Sequence, residues 1–544
     1  MILLSQTGLT FVTVEQAGTP LPQGFAILNT GQGSMSWSAS ASTLSGGSWL
    51  SIDQNAGTVA TPFTTVSLVN ASINPSGLKA GNYYGQIQVT SPGAPNSPQS
   101  VSMVLNVLPA GSNPGPEVRP SGLIFIGTPG ESPQSQNVTV SNPQGSPITF
   151  GGNFFTVPTG GHWVQFLPSN ATVQPNAPVQ VLVQPDFTSL QNGVYQGFVA
   201  LGFLDGSSRS VHILSVVAPG AGGSASAGEL AARASGGCAT LYVHPTALTD
   251  PSSSVKVGQP ASLQARVVDN CGNLMSTGSV QATFSNGDAA VNLVHVGGGN
   301  WSGTWTPRNG AQPQVTVEYA AFEGQGITLL SGSSNLTVSL VPGVSAPLTF
   351  GAKNAASGVG TYISPGGLVS IYGLQLADQA EQPGNVPFPK QVNGTQVLMG
   401  GKPLPLRYVA SNQVNAQVPF DLNVNSAQQL VVQRDTTLSV PQNVVVAAAQ
   451  PAVYTQDQSG SGPGVIVNGQ TNVLITSANP AHAEPAHEHG CFGCVFREYR
   501  PILRVRAVRP STRRWRKLEA NSFGSAGMAK FEVGLMRRPR FYVN

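Results

Sequence analysis

Charge is scarce in this chain. Only 9 % of its 544 residues are Asp, Glu, Lys or Arg, where globular proteins average about 25 %. Four cysteines and seven histidines offer few nucleophiles or metal ligands. No run of about 18 apolar residues exists, so nothing reads as a membrane-spanning helix. There is no Gly-x-Ser-x-Gly elbow, Walker loop or His-Glu-x-x-His zinc pair. Carboxylates are too sparse to nominate a glycosidase pair. Asp53, Asp186, Asp205, Asp269 and Asp288 stand in turn sequences, where a short carboxylate caps backbone amides. The expectation is a protein with no catalytic residue, metal or cofactor.

What is abundant points to strands. The 64 glycines and 43 prolines make up about a fifth of the chain. They punctuate short stretches in which apolar and polar residues alternate. Many short strands between Gly/Pro turns predict an all-β protein of tandem immunoglobulin-like β-sandwiches with Gly/Pro/Ser-rich linkers. The length predicts three to five domains on a prior of about 100–200 residues each.

Residues 1–108 and 120–217 read as two copies of one unit. Gly8-Leu9-Thr10-Phe11 aligns with Gly122-Leu123-Ile124-Phe125, and Trp49 with Trp163, both 114 residues on. Leu78, Gly81, Tyr83 and Gly85 align with Leu190, Gly193, Tyr195 and Gly197 at an offset of 112. Residues 109–120 form a short Pro/Gly linker. Residues 218–237, built of Ala, Gly and Ser, are expected to be a flexible one.

The repeated unit resembles the BACON domain, an immunoglobulin-like sandwich named for carbohydrate binding in bacterial surface proteins. The resemblance rests on Ser48-Trp49-Leu50-Ser51-Ile52, Gly57, and the Leu78/Gly81/Tyr83/Gly85 set. The second copy is degenerate, with His162-Trp163-Val164-Gln165-Phe166 in place of the first motif. Residues 238–341 resemble a bacterial immunoglobulin-like repeat, through Val257–Asp269 and Asn300–Pro307; such repeats commonly serve as stalks or spacers. Cys238 and Cys271 fall in this domain, either paired as a disulfide or as two buried thiols.

Residues 346–483 hold Ser364-Pro365-Gly366-Gly367-Leu368-Val369-Ser370-Ile371-Tyr372-Gly373 and Pro405-Leu406-Arg407-Tyr408-Val409 through Gln417-Val418-Pro419. They resemble a C-terminal domain family of large secreted proteins of Acidobacteria, truncated here before its closing strands. Beyond residue 483 the character changes. Residues 484–544 hold 13 of the 25 basic and 5 of the 22 acidic residues, a net charge of +8 against −5 for the rest. Three readings stand: a shifted reading frame, an interaction arm for nucleic acid or membrane surface, or a metal knuckle from His482, His487, His489, Cys491 and Cys494. The first leads, and implies a disordered basic tail with no nucleic acid as partner.

The resulting expectation is a non-enzymatic extracellular or cell-surface scaffold or adhesion protein. Its partners would be extracellular glycans or other surface proteins. The first residues show no basic n-region or cleavage site, which suggests a sequence that begins inside a longer secreted protein. The alternative is a carbohydrate-binding module array. For that reading Tyr84, Trp301 and Trp305 are the candidate sugar-stacking rings. Tyr84 alternates with Tyr83 along a strand, and Trp301 and Trp305 share a strand face. Trp49 and Trp163 are expected in the cores.

Overall fold

The computed structural model describes residues 1–60, 65–157, 161–218, 238–250, 253–324, 329–343, 346–358, 362–468, 471–479 and, for the backbone, 489–491. Among the described residues every regular element is a β-strand. No helix is long and apolar enough to cross a membrane among them.

The first sandwich contains β1 (Ile2–Leu4), β2 (Gly8–Val14), β3 (Gln23–Asn29), β4 (Met35–Thr43), β5 (Leu50–Ile52), β6 (Ala56–Val59), β7 (Ser67–Ile73), β8 (Gly81–Thr90) and β9 (Gln99–Leu108). Its sheets run β1-β3-β7-β5 and β2-β9-β8-β4-β6. The second sandwich contains β10 (Glu117–Arg119), β11 (Gly122–Gly127), β12 (Gln136–Ser141), β13 (Ile148–Val157), β14 (Val164–Leu167), β15 (Asn170–Val173), β16 (Val179–Pro185), β17 (Gly193–Phe203) and β18 (Ser208–Val217). Its sheets run β10-β12-β16-β14 and β11-β18-β17-β13-β15. Adding nine to each label of the first sandwich gives the second. Both also share a parallel pairing of the second strand with the last, β2 with β9 and β11 with β18.

The sequence landmarks of the repeat have a steric basis. Tyr83 Oη donates to the Lys79 carbonyl at 2.9 Å, and Tyr195 Oη to the Gln191 carbonyl at 3.0 Å. Each closes a corner over four residues, with its ring against the core of its own sandwich. A Cβ on Gly85 would stand 2.7 Å from Ser42 O, and one on Gly197 2.6 Å from Phe155 O. Only glycine fits at either place. Trp49 and Trp163 are buried in their respective cores.

The third sandwich contains β19 (Leu241–Pro245), β20 (Ser254–Lys256), β21 (Ala261–Asp269), β22 (Ser279–Phe284), β23 (Val291–Gly297), β24 (Asn300–Trp305), β25 (Gln314–Glu323) and β26 (Leu330–Val341). Their hydrogen-bonded order is β19-β21-β24-β23-β22-β25-β26-β20. Alternation decides the core: on β25, Val315, Val317, Tyr319 and Ala321 point inward and are fully buried. Cys238 and Cys271 are joined in a disulfide, with Cα atoms 5.5 Å apart.

After residue 341 the chain divides between two compact units. Residues up to 351, 371–414 and 426–444 belong to the unit that holds the three sandwiches. There Thr395–Met399 pairs antiparallel with Ser426–Arg434. Residues 352–370, 415–425 and 445 onward make the second unit. Within it the two halves of the Ser364–Pro419 stretch meet: Gly366 N donates to Val418 O and Val418 N to Gly367 O, both at 2.9 Å. Ser370 Oγ also donates to Asn415 Oδ1 at 2.8 Å. The region read in sequence as one domain is therefore shared between two units. The linker at 219–237 lies outside the described residues. So does the basic tail, except that the backbone of 489–491 runs as a short strand against Ile466–Asn468.

Candidate functional site

The third sandwich is held by both repeats. On β21, Leu263, Ala265 and Val267 face its core, which leaves Ser262, Gln264 and Arg266 on the outside. The first repeat binds that outer face with polar groups. Gln6, fully buried, donates through Nε2 to Ser262 Oγ at 2.9 Å and Ser302 Oγ at 2.6 Å, and Thr304 Oγ1 donates to its Oε1 at 2.5 Å. Asn106 and Gln259 exchange amide hydrogen bonds at 2.8 and 3.0 Å. The second repeat binds the neighbouring part. Ser121 N donates to Thr246 O at 3.1 Å. Ile124, Leu214, Val216 and Val268 pack as a small core of their own.

Beside this second joint lies a cleft of ≈ 590 Å³ between the second and third sandwiches. One wall is apolar: Val157, Phe198 and Leu214 line it. Phe155 stacks on Phe198 at 5.2 Å, with half of its surface open. The opposite wall is β26, which contributes Ser333, Ser334, Asn335, Leu336, Thr337 and Ser339. His212 and His244 are the histidines among the lining residues. His244 Nε2 lies 3.1 Å from the His212 carbonyl. Burial pushes His244 down to about 4; the hydrogen bond to His212 O opposes this, and the charges of His212 and Arg266 add to it. His212 is also lowered by burial, partly offset by Asp250. Burial thus favours the neutral form of both imidazoles.

The three rings nominated from sequence for sugar stacking do not line this cleft, and none has an open face. Tyr84 is 1 % exposed. It packs with Val104, Ala346, Val431 and Leu438, in a core between the first sandwich and the later strands. Tyr83 is the partner left half-buried. The alternation expected of the pair is present, but the outer face of β8 is covered by residues some 350 positions further on. Trp301 and Trp305 do share a face, and that face is the interior: they are 5 % and 1 % exposed. Trp305 stacks on Phe284 at 4.6 Å and donates through Nε1 to Asp288 at 3.0 Å. Trp301 packs against His295 at 5.1 Å. Phe155 and Phe198 carry no signal in sequence; a pair of phenylalanines on adjacent strands is ordinarily core, and here it lies at a rim.

The five turn aspartates are structural caps. Asp53 accepts from Asn70 N and Nδ2, Asp186 from Thr188, Asp269 from Cys271 N and Asn273 N, and Asp288 from Arg308 N and Asn309 N. Asp205 accepts from Ser207 and from Asn113 of the first linker. Burial raises its pKa, and these bonds together with one from Gln144 outweigh that and bring it down to about 2. Among the described residues no group of three or more His, Cys, Asp or Glu is placed to hold a metal. The His/Cys cluster of the tail lies outside them, save the backbone of His489 and Cys491.

Residues 2–104 match a family model described as "Viral BACON domain". No curated protein matches the chain. Among solved structures, a Porphyromonas gingivalis W83 protein of unknown function is 14 % identical, with 39 % of this chain and 98 % of that chain covered and a TM-score of 0.17. The periplasmic chaperone SfaE is 8 % identical over 42 % of this chain and 100 % of its own, TM-score 0.20. A PapD-like domain of human CEP192 is 12 % identical over 20 % of this chain and 94 % of its own, TM-score 0.17. The chain is an all-β protein of sandwich modules, and its first hundred residues match the BACON domain family.

Proposed function

We propose that the protein is a non-enzymatic scaffold of the cell surface or extracellular space, in which sandwich modules lock into one body that presents surfaces to other molecules. One observation carries the reading. The third sandwich is bound by the first repeat through buried polar side chains, Gln6 and Asn106, the latter paired with Gln259, a use of polar groups that fixes orientation more than it adds stability, and by the second repeat through the apolar cluster of Ile124, Leu214, Val216 and Val268. A string of independent spacers has no need of such joints. The five turn aspartates are used as caps, which supports a role without catalysis. The Cys238–Cys271 disulfide and the low charge support an oxidising, extracellular setting. Glycan binding through Tyr84, Trp301 and Trp305 is not part of the reading, since those rings are packed inside.

Fractionation of the source cells with an antibody against the folded modules tests the proposal. Protein in the surface or medium fraction, with Cys238 and Cys271 oxidised, is the expected result. Reduced protein confined to the cytosol contradicts it.

A further inference from the structure

A small pocket of ≈ 200 Å³ lies where Thr7 of the first repeat, residues 288–308 of the third sandwich and residues 348–349 and 440–442 come together. Arg308 is the cation among its lining residues and is half-buried. Its Nη1 donates to Phe350 O at 3.5 Å, which sets the guanidinium on the Leu348–Thr349 side of the pocket. Among the described residues this is its one side-chain hydrogen bond, and no carboxylate forms an ion pair with it. Burial lowers its pKa, and the charge of Asp288 partly offsets this. A guanidinium taken partly out of water calls for an anionic partner. Asp288 is not that partner. Its oxygens accept from Asn286 Nδ2, Trp305 Nε1 and the backbone amides of Arg308 and Asn309.

Other donors stand around the same space. Thr349 is 3 % exposed, and its hydroxyl, like the side chains of Thr306 and Gln442, makes no hydrogen bond to another described residue. Ala289, Ala290, Val291, Leu348 and Val440 supply an apolar wall. We propose that this pocket binds a short-chain aliphatic carboxylate, with its carboxylate on Arg308 and its alkyl chain against Ala289, Ala290 and Val440. A planar carboxylate matches the guanidinium fork with two parallel N–H···O bonds and can also accept from Thr349 and Gln442. The charge of Asp288 beside Arg308 disfavours a dianion such as phosphate. The volume falls below the range of about 300–1,000 Å³ for drug-sized ligands, which limits the chain to a few carbons.

The test is a saturation-transfer NMR titration of butyrate on the full chain, with butyramide and inorganic phosphate as competitors. Saturable binding of butyrate is expected. Arg308→Gln should weaken it about tenfold or more. Ala290→Glu, at an exposed position on the pocket wall, fills the space and offers Arg308 a tethered carboxylate. It should abolish binding, and decides the matter if Arg308→Gln does not fold. Absence of saturable butyrate binding overturns the proposal, as does unchanged binding in either folded variant. Displacement by butyramide at equal concentration marks an apolar pocket alone, and displacement by phosphate marks a general anion site; either result also overturns it.

Discussion

Gly8 and Gly122 occupy the same place in the two repeats, and each is pressed against the third sandwich. A Cβ on Gly8 would stand 2.6 Å from Cβ of Pro260, and one on Gly122 2.4 Å from the Pro245 carbonyl oxygen. Each glycine is the first residue of the strand that pairs in parallel with the last strand of its sandwich. A duplicated module thus offers one equivalent contact twice, to different parts of one neighbour.

Side chains at these two points must push the joints apart. Gly8→Ala and Gly122→Ala should each cost about 1–3 kcal/mol through overpacking. Urea unfolding of the two variants measures this. Gly151→Ala on β13, where φ is not positive and a Cβ would meet nothing within 4 Å, controls for the glycine-to-alanine change itself.

The Asn106–Gln259 amide pair is buried on both sides. Gln259→Ala strands the Asn106 amide and should cost about 1–3 kcal/mol. In a double-mutant cycle with Asn106→Ala the two losses should fall short of additive by about 0.5–3 kcal/mol. Strict additivity would mean that the pair does not hold the joint.

The Cys238–Cys271 bond closes a segment of 33 residues in sequence separation. Reduction, or replacement of both residues by serine, should lower stability by about 2–4 kcal/mol. Thermal unfolding with and without reductant reads the change, and the double-serine variant should be insensitive to reductant.

Acid should loosen the joint between the second and third sandwiches. His244 titrates near 4 in the folded protein, below its ordinary 6.5. The unfolded chain therefore binds more protons between those values, and stability falls as pH drops from about 6.5 to 4. Asp205 works in another window: its folded value near 2 is below the ordinary 3.8, so its contribution is present above 3.8 and lost as pH falls through 2. Urea midpoints at pH 7 and pH 4.5 should differ, and His244→Gln should shrink the difference.

The strands, the repeat and the caps were legible in sequence because local sterics dictate them. Gly85, Gly197, Tyr83 and Tyr195 mark a corner that any such sandwich must build. The aspartates sit where turns need acceptors. What covers an outer face was not legible. Period-two alternation separates Tyr83 from Tyr84, but it cannot show that Val431 and Leu438 return to bury Tyr84. For the same reason the third sandwich read as a spacer. Its outward serines and threonines look like ordinary solvated positions until Gln6 is found among them.

The interlocking of the three sandwiches is tested most directly by native-state hydrogen exchange, read by mass spectrometry over a urea series. Peptides from β3, β12 and β22 lie in different sandwiches, away from the joints. They should lose protection at one common urea concentration, as parts of one cooperative unit. Three separate concentrations would contradict the account and describe independent domains on a string.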